Sequence, residues 1–131
     1  MSADGAIAAA KYFVELYVYA HRSGDLAPWS EMSGPECDFC AHVVERVEEV
    51  YDAGGHIEHE DFAWEGAPKT TKSPARSMWE VRLSAVEGAS VRYDGDGGVL
   101  KETAGGPVDM TIVVLSKIDS WEVVRVSARP T

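Results

Sequence analysis

Apolar side chains in this chain recur at three- and four-residue steps up to Gly54-Gly55 and at two-residue steps beyond it. A helix brings residues three and four apart onto one face, whereas a strand sends successive side chains to opposite faces. The switch therefore divides the chain into a helical first part and a β remainder. Helices followed by consecutive short strands predict an α+β fold, with helices covering one face of a strongly curved antiparallel sheet. The 131 residues suffice for one such domain, residues 1–131, and not for two independent cores.

From Asp4 to Arg22 no Pro interrupts the chain, and Ile7, Ala10, Val14, Tyr17, Val18 and His21 fall on one helical face. Ser2 or Asp4 can cap its start, and Gly24 can end it in a left-handed turn. The stretch from Tyr12 to Tyr19 is apolar or aromatic almost all the way round, so this helix should be covered on more than one side. Asp25 offers a second N-cap, for a short helix that carries Pro28 in its first turn and Trp29 after it. A third helix is expected from about Pro35 to Ala53. Cys40, Val43, Val44, Val47, Val50 and Tyr51 line one of its faces, while Glu45, Arg46, Glu48, Glu49 and Asp52 line the other.

Six strands are expected after Gly55: His56 to Trp64, Met78 to Val86, Ala89 to Tyr93, Val99 to Thr103, Val108 to Ile118, and Trp121 to Ala128. Trp79, Val81, Leu83 and Ala85 share one side of a pleat. Ile112-Val113-Val114-Leu115 is apolar on both faces and should lie centrally. Glu65 to Ser77, with two Pro and the cations Lys69, Lys72 and Arg76, reads as a loop. Asp94 to Gly98, Ala104 to Pro107 and Asp119-Ser120 read as turns.

Charge narrows the partners. The chain has 12 Lys and Arg against 22 Asp and Glu, a formal net charge of −10, which repels a nucleic-acid backbone and an anionic lipid surface alike. Nucleic acid is therefore not an expected partner. No apolar run approaches the roughly 20 residues of a membrane span, and the first residues lack the basic start and unbroken apolar segment of a signal peptide.

The chemistry-bearing motifs are short. Cys37 and Cys40 stand three apart at the expected start of the third helix. A helix N-terminus stabilises thiolate, and C-x-x-C is the thioredoxin spacing, but two helices and a Gly-Pro break precede this pair instead of a strand of a parallel sheet. The reading adopted is a structural disulfide that pins the helix start and contributes about 1 to 2 kcal/mol. Reduced thiols and redox chemistry are the alternatives.

Cys37, Cys40, His56 and His59 together resemble a zinc pattern. The helix between the two pairs should be about 18 to 20 Å long and hold them apart. His56 and His59, three apart on a strand, also point to opposite faces, so no metal site is expected. Asp94-x-Asp96-x-Gly98 opens like a calcium loop but lacks the later ligands, and reads as a hairpin turn. Glu58-His59-Glu60-Asp61 could supply a carboxylate and an imidazole, yet alternation on an exposed strand makes it a solvated face.

Phe13, Ala20, Ser23-Gly24-Asp25, Pro35-x-Cys37-x-x-Cys40, Gly54-Gly55-His56-Ile57-Glu58, Trp79-x-Val81 and Ser120-Trp121-x-Val123 carry a family likeness. With this order of elements, the chain resembles an uncharacterised family of actinobacterial lipoprotein domains, itself similar to the cone-shaped nuclear transport factor 2-like, SnoaL-like and cystatin-like fold. The resemblance implies export, with anchoring through a lipidated cysteine in an N-terminal segment that these residues do not include. It implies no established activity and no cofactor.

A cone-shaped fold of this kind implies a pocket between the first helices and the concave sheet face. Tyr17, His21, Trp29, Phe62, Trp64 and Trp79 are the residues expected near it. Tyr and Trp pair an apolar body with one polar tip, which suits a semi-polar ligand, while a simply filled core is the plainer alternative. Three functions follow. The first is non-catalytic binding of a small molecule or an envelope protein, with association of two copies through the outer sheet face. The second is a small SnoaL-like isomerase, dehydratase or hydrolase, for which His21 beside Tyr17, with Asp25 or Asp61, is the only constellation available. The third is an interaction domain without an open pocket. Asp25 is explained more simply as a helix cap.

Overall fold

In the computed structural model, which describes residues 2–130, Ser2 opens the first helix. Its Oγ accepts from the Gly5 N–H at 3.0 Å, satisfying one of the donors that a helix start leaves free. α1 (Ala3–Ser23) ends at Gly24, whose φ of 75° is the left-handed stop. α2 (Ala27–Met32) begins with Pro28 in its first turn. Asp25 supports that start, its Oδ1 accepting from Ala27 N–H at 3.1 Å. α3 (Asp38–Asp52) begins later than the expected Pro35. Cys37 N–H bonds back to Gly34 O at 3.2 Å, so the chain turns through Pro35-Glu36 before the helix can form. Among the described residues no helix is long and apolar enough to cross a membrane.

Seven strands follow: β1 (His56–His59), β2 (Ala63–Lys72), β3 (Met78–Glu87), β4 (Ser90–Tyr93), β5 (Val99–Thr103), β6 (Gly106–Ser116) and β7 (Trp121–Pro130). They form two antiparallel ladders, β1-β4-β5 and β2-β3-β6-β7. The ladders are two ends of one bent meander, because the same register runs through every break. His59 faces Ser90 and Ala63 faces Val86 on one side of the central pass; Glu87 faces Gly106 and Ser90 faces Thr103 on the other. β1 with β2, β3 with β4 and β5 with β6 are thus three passes of chain that bend along a common line.

Three sequence expectations change accordingly. His56 to Trp64 is two strands, since the chain bends at Glu60 to Phe62. The expected loop from Glu65 is strand as far as Lys72, with an irregularity between Glu65 and Lys69. Pro68 sits inside that irregularity, where its missing N–H breaks no ladder bond, and the Lys and Thr beyond it suit an edge strand. Ala104 to Pro107 likewise does not reverse the chain but carries β5 into β6 at the bend.

The bend dictates two glycines. A Cβ on Gly88 would lie 2.5 Å from Glu60 Cβ and 2.7 Å from Asp61 O. Gly105 has φ of 77°, and a Cβ there would run into the backbone of Glu87 and Gly88. A side chain at Gly105 meets both a left-handed backbone and a rigid neighbour. Gly105→Ala is expected to cost about 2 kcal/mol, read as a lower urea midpoint; an unchanged midpoint would show that the bend is not braced here.

β6 lies between β3 and β7, so Ile112, Val113 and Val114 are buried on both faces of the sheet. On the concave face Val81, Leu83, Ala85, Met110 and Ile112 pack under α1, and Val43, Val47 and Val50 of α3 close the core. α1 is buried at Ala6, Ala10, Phe13, Val14, Leu16 and Ala20, and packs against α2, α3 and the sheet together. The convex face keeps its polar alternates. There Arg82, Ser84, Asp109, Thr111, Ser127 and Arg129 line a shallow depression of about 590 Å³.

Candidate functional site

The bend lifts the end of β3 towards α1 and leaves a small apolar cavity of about 100 Å³ between the helices and the concave face. Each wall has a local cause. Phe13 and Tyr17 are one helical step of four apart on α1 and so share a face. Trp29 comes from α2, Phe39 from the first turn of α3, and Phe62 from the bend between β1 and β2. Met110, Ile112 and Val126 form the floor. Phe13 stacks on Trp29 with centroids 3.9 Å apart, and the Trp29 Nε1–H donates to Cys40 O at 3.1 Å.

One charged side chain reaches this lining, Glu87, at the last position of β3 before Gly88. His59 stands beside it, its Nε2 3.5 Å from Glu87 Oε2, with the imidazole side chain 2% exposed and the carboxylate 30%. The other ring nitrogen, Nδ1, donates to Glu60 O at 2.7 Å. A carbonyl can only accept, so Nδ1 carries a proton, and the ion pair to Glu87 forms when Nε2 carries one too.

Behind Tyr17 lies a second polar layer. His21 Nδ1–H donates to Tyr17 O at 2.7 Å, which leaves Nε2 to accept from Arg46 at 3.3 Å. Burial, with Arg46 adding to it, lowers the His21 pKa to about 4, so this imidazole is neutral at pH 7. The Tyr17 hydroxyl accepts from the same guanidinium at 3.4 Å. Burial raises the Tyr17 pKa and keeps that hydroxyl protonated.

Of the six residues expected at a pocket, Tyr17, Trp29 and Phe62 line the cavity. Trp64 lies one step outside it, in a groove shared with Val14, Val18 and Arg22 of α1, where Lys11 Nζ sits 5.3 Å from its ring centroid. His21 packs behind Tyr17 with ring centroids 4.1 Å apart, facing Arg46 instead of the cavity. Trp79 stands at the start of β3, away from this lining, with Lys72 Nζ 5.8 Å from its ring; its pleat face is the concave one, but its position along the strand is too early.

Asp25 and Asp61 do not join His21. Asp25 accepts from the Tyr19 hydroxyl at 2.8 Å and from Ala27 N–H, and Asp61 pairs with Arg22 at 3.2 Å on the exposed rim. The acidic run is solvated at Glu58, Glu60 and Asp61 but not at His59, which shares the buried face of β1 with Ile57. Phe13, Phe39, Glu87 and Arg46 were not foreseen as site residues, and His59 was weighed as a zinc ligand and as an acid–base group but assigned to a solvated face. The step of four from Tyr17 identifies Phe13; a carboxylate next to a strand-ending glycine is the signal for Glu87.

Cys37 and Cys40 are joined by a disulfide and buried against Trp29. Neither sulfur is therefore a free thiolate.

Comparison with known proteins agrees with this architecture. The model of a family of unknown function, DUF6318, matches residues 1–127. The chain belongs to this family. No curated protein matches the DUF6318 chain. Among solved structures, the intermembrane space region of the chloroplast protein ARC6 is similar at a TM-score of 0.67 and 13% identity, covering 100% of this chain and 98% of that one. An uncharacterised protein with a cystatin-like fold from Caulobacter vibrioides gives 0.58 at 6% identity, over 95% and 89% of the two chains. Identities this low show the fold alone, and that fold is the α+β, cystatin-like arrangement of helices on a curved sheet.

Proposed function

We propose that this DUF6318 domain is an exported, non-catalytic binding module whose cavity receives one small apolar group, either a small molecule or the end of an envelope partner. The observation that carries the reading is an aromatic-walled space of about 100 Å³ with a single carboxylate at its edge. Sites for whole drug-sized ligands run to roughly 300–1,000 Å³, and water occupies about 30 Å³ in the liquid. The cavity therefore holds a group of a few heavy atoms and excludes a larger molecule from entering whole. The buried disulfide supports export, because such bonds persist in oxidising compartments. Family resemblance supports a lipid anchor ahead of the domain, and the polar depression on the convex face supports pairing of two copies there.

Hexan-1-ol tests the cavity directly. Titrated into the isotope-labelled chain, it should shift the amide signals around Phe13, Tyr17 and Ile112, and Val126→Trp, which fills the floor, should weaken that response about tenfold or more. Shifts scattered over the surface, or equal binding to the filled variant, would refute the reading. The enzymatic alternative keeps one observation in its favour, the Glu87–His59 pair on the wall. It requires turnover that Glu87→Gln abolishes.

A further inference from the structure

Two arginines near this cavity lack the partners that arginines in an acidic protein normally find. Arg46 of α3 is half-buried, and among the described residues its side-chain hydrogen bonds go to Tyr17 and His21. Arg92 of β4 is half-buried and lies directly across from Ile57. Ile57 is buried beneath α3, where its N–H donates to the Tyr51 hydroxyl at 3.2 Å. Directly opposed residues of an antiparallel pair share a face, so Arg92 lies on the face that carries Ile57.

Among the described residues neither arginine forms an ion pair, although the chain carries 22 carboxylate side chains. Burial and the charge of Arg46 both disfavour the charged form of Arg92, with Tyr17 and Glu49 acting the other way. Tyr17, protonated and already accepting from Arg46, keeps its own O–H proton without an acceptor among the described residues.

We propose that Arg46, Arg92 and the Tyr17 hydroxyl form an oxyanion site at the polar edge of the cavity, which takes the carboxylate of a small amphiphile. The placement of the apolar tail rests on the cavity reading above. Guanidinium forks match a carboxylate, and a tyrosine O–H adds a directed donor. Glu87, paired with His59, and Glu49 of α3 are the anions that act on this cluster, and Lys101 faces Arg92 across β5. With Glu87 so near, a singly charged carboxylate is favoured over a dianionic phosphate.

Hexanoate, hexan-1-ol and inorganic phosphate, titrated into the chain and followed by amide shifts, test the site. Hexanoate should bind more tightly than the alcohol and lose about tenfold in affinity in Arg92→Gln, with partial recovery in Arg92→Lys, which restores charge without the fork. The alcohol should be indifferent to both variants. Signal dispersion of each variant reports its fold, and Arg92→Lys remains informative if Arg92→Gln does not fold.

Hexanoate that binds both variants as it binds the wild type, or that binds no better than the alcohol, overturns the oxyanion site while leaving the cavity intact. Hexanoate that perturbs Arg92 equally in Val126→Trp keeps the oxyanion site and removes the tail from the cavity. Phosphate displacing hexanoate at a comparable concentration overturns the choice of a carboxylate. No response to either six-carbon probe overturns both readings.

Discussion

Trp29→Ala should lower the unfolding free energy by about 4 kcal/mol, the cost of deleting a fully buried indole whose cavity the surroundings cannot close. Trp29 is 1% exposed, and its ring is held on every side. Phe13 stacks on it, Tyr17 meets it edge-on with centroids 5.9 Å apart, and its Nε1–H is spent on Cys40 O. The indole ties α1, α2 and the disulfide-braced start of α3 into one unit. Trp29→Phe keeps an aromatic ring but leaves the Cys40 carbonyl without its indole donor, and should cost about half as much. Urea denaturation with an unchanged m-value measures both. A loss below about 1 kcal/mol for the alanine variant would mean that the helices hold together without this ring.

Acid should weaken the fold through His21. An unfolded histidine has a pKa of about 6.5, whereas burial holds His21 at about 4 in the folded chain. Above pH 6.5 both states are neutral and the histidine imposes no penalty. As the pH falls from 6.5 towards 4, the unfolded chain takes up a proton that the folded chain refuses, so stability drops across that window. The full effect is about 3 kcal/mol at 1.36 kcal/mol per unit. His21→Gln can still donate to Tyr17 O and accept from Arg46 without titrating, and should flatten the dependence. Comparison of the two proteins from pH 7 to 4 cancels the titration of the carboxylates they share. Parallel stability profiles would exclude His21 as the acid-sensitive group.

How much of this was legible beforehand depended on whether a feature is local. The caps at Ser2 and Gly24, the helix end at Gly54-Gly55, the central β6 and the hairpins at Asp94 to Gly98 and at Asp119-Ser120 are read from neighbouring residues, and the chain adopts them. β2 was hidden because its ladder is interrupted at Gly66 to Pro68 and its edge position makes it polar; only its partner β3 gives it away. His59 was misassigned to solvent because its sequence neighbours are all acidic. The period-2 alternation of β1 in fact pairs it with buried Ile57 on the inner face, between exposed Glu58 and Glu60.

Composition and periodicity by themselves determined that helices come first and an antiparallel run of strands follows, and the spacing of Cys37 and Cys40 made a short bridge one of the available readings, since each follows from interactions within a few residues or from which faces must leave water. The tertiary structure alone decided the cavity and its polar edge. Tyr17, Arg46, His59 and Glu87 come from four different parts of the chain. They meet only because the three passes of the sheet bend along one line, and the packing that closes this bend couples residues whose separation in sequence carries no periodic signal.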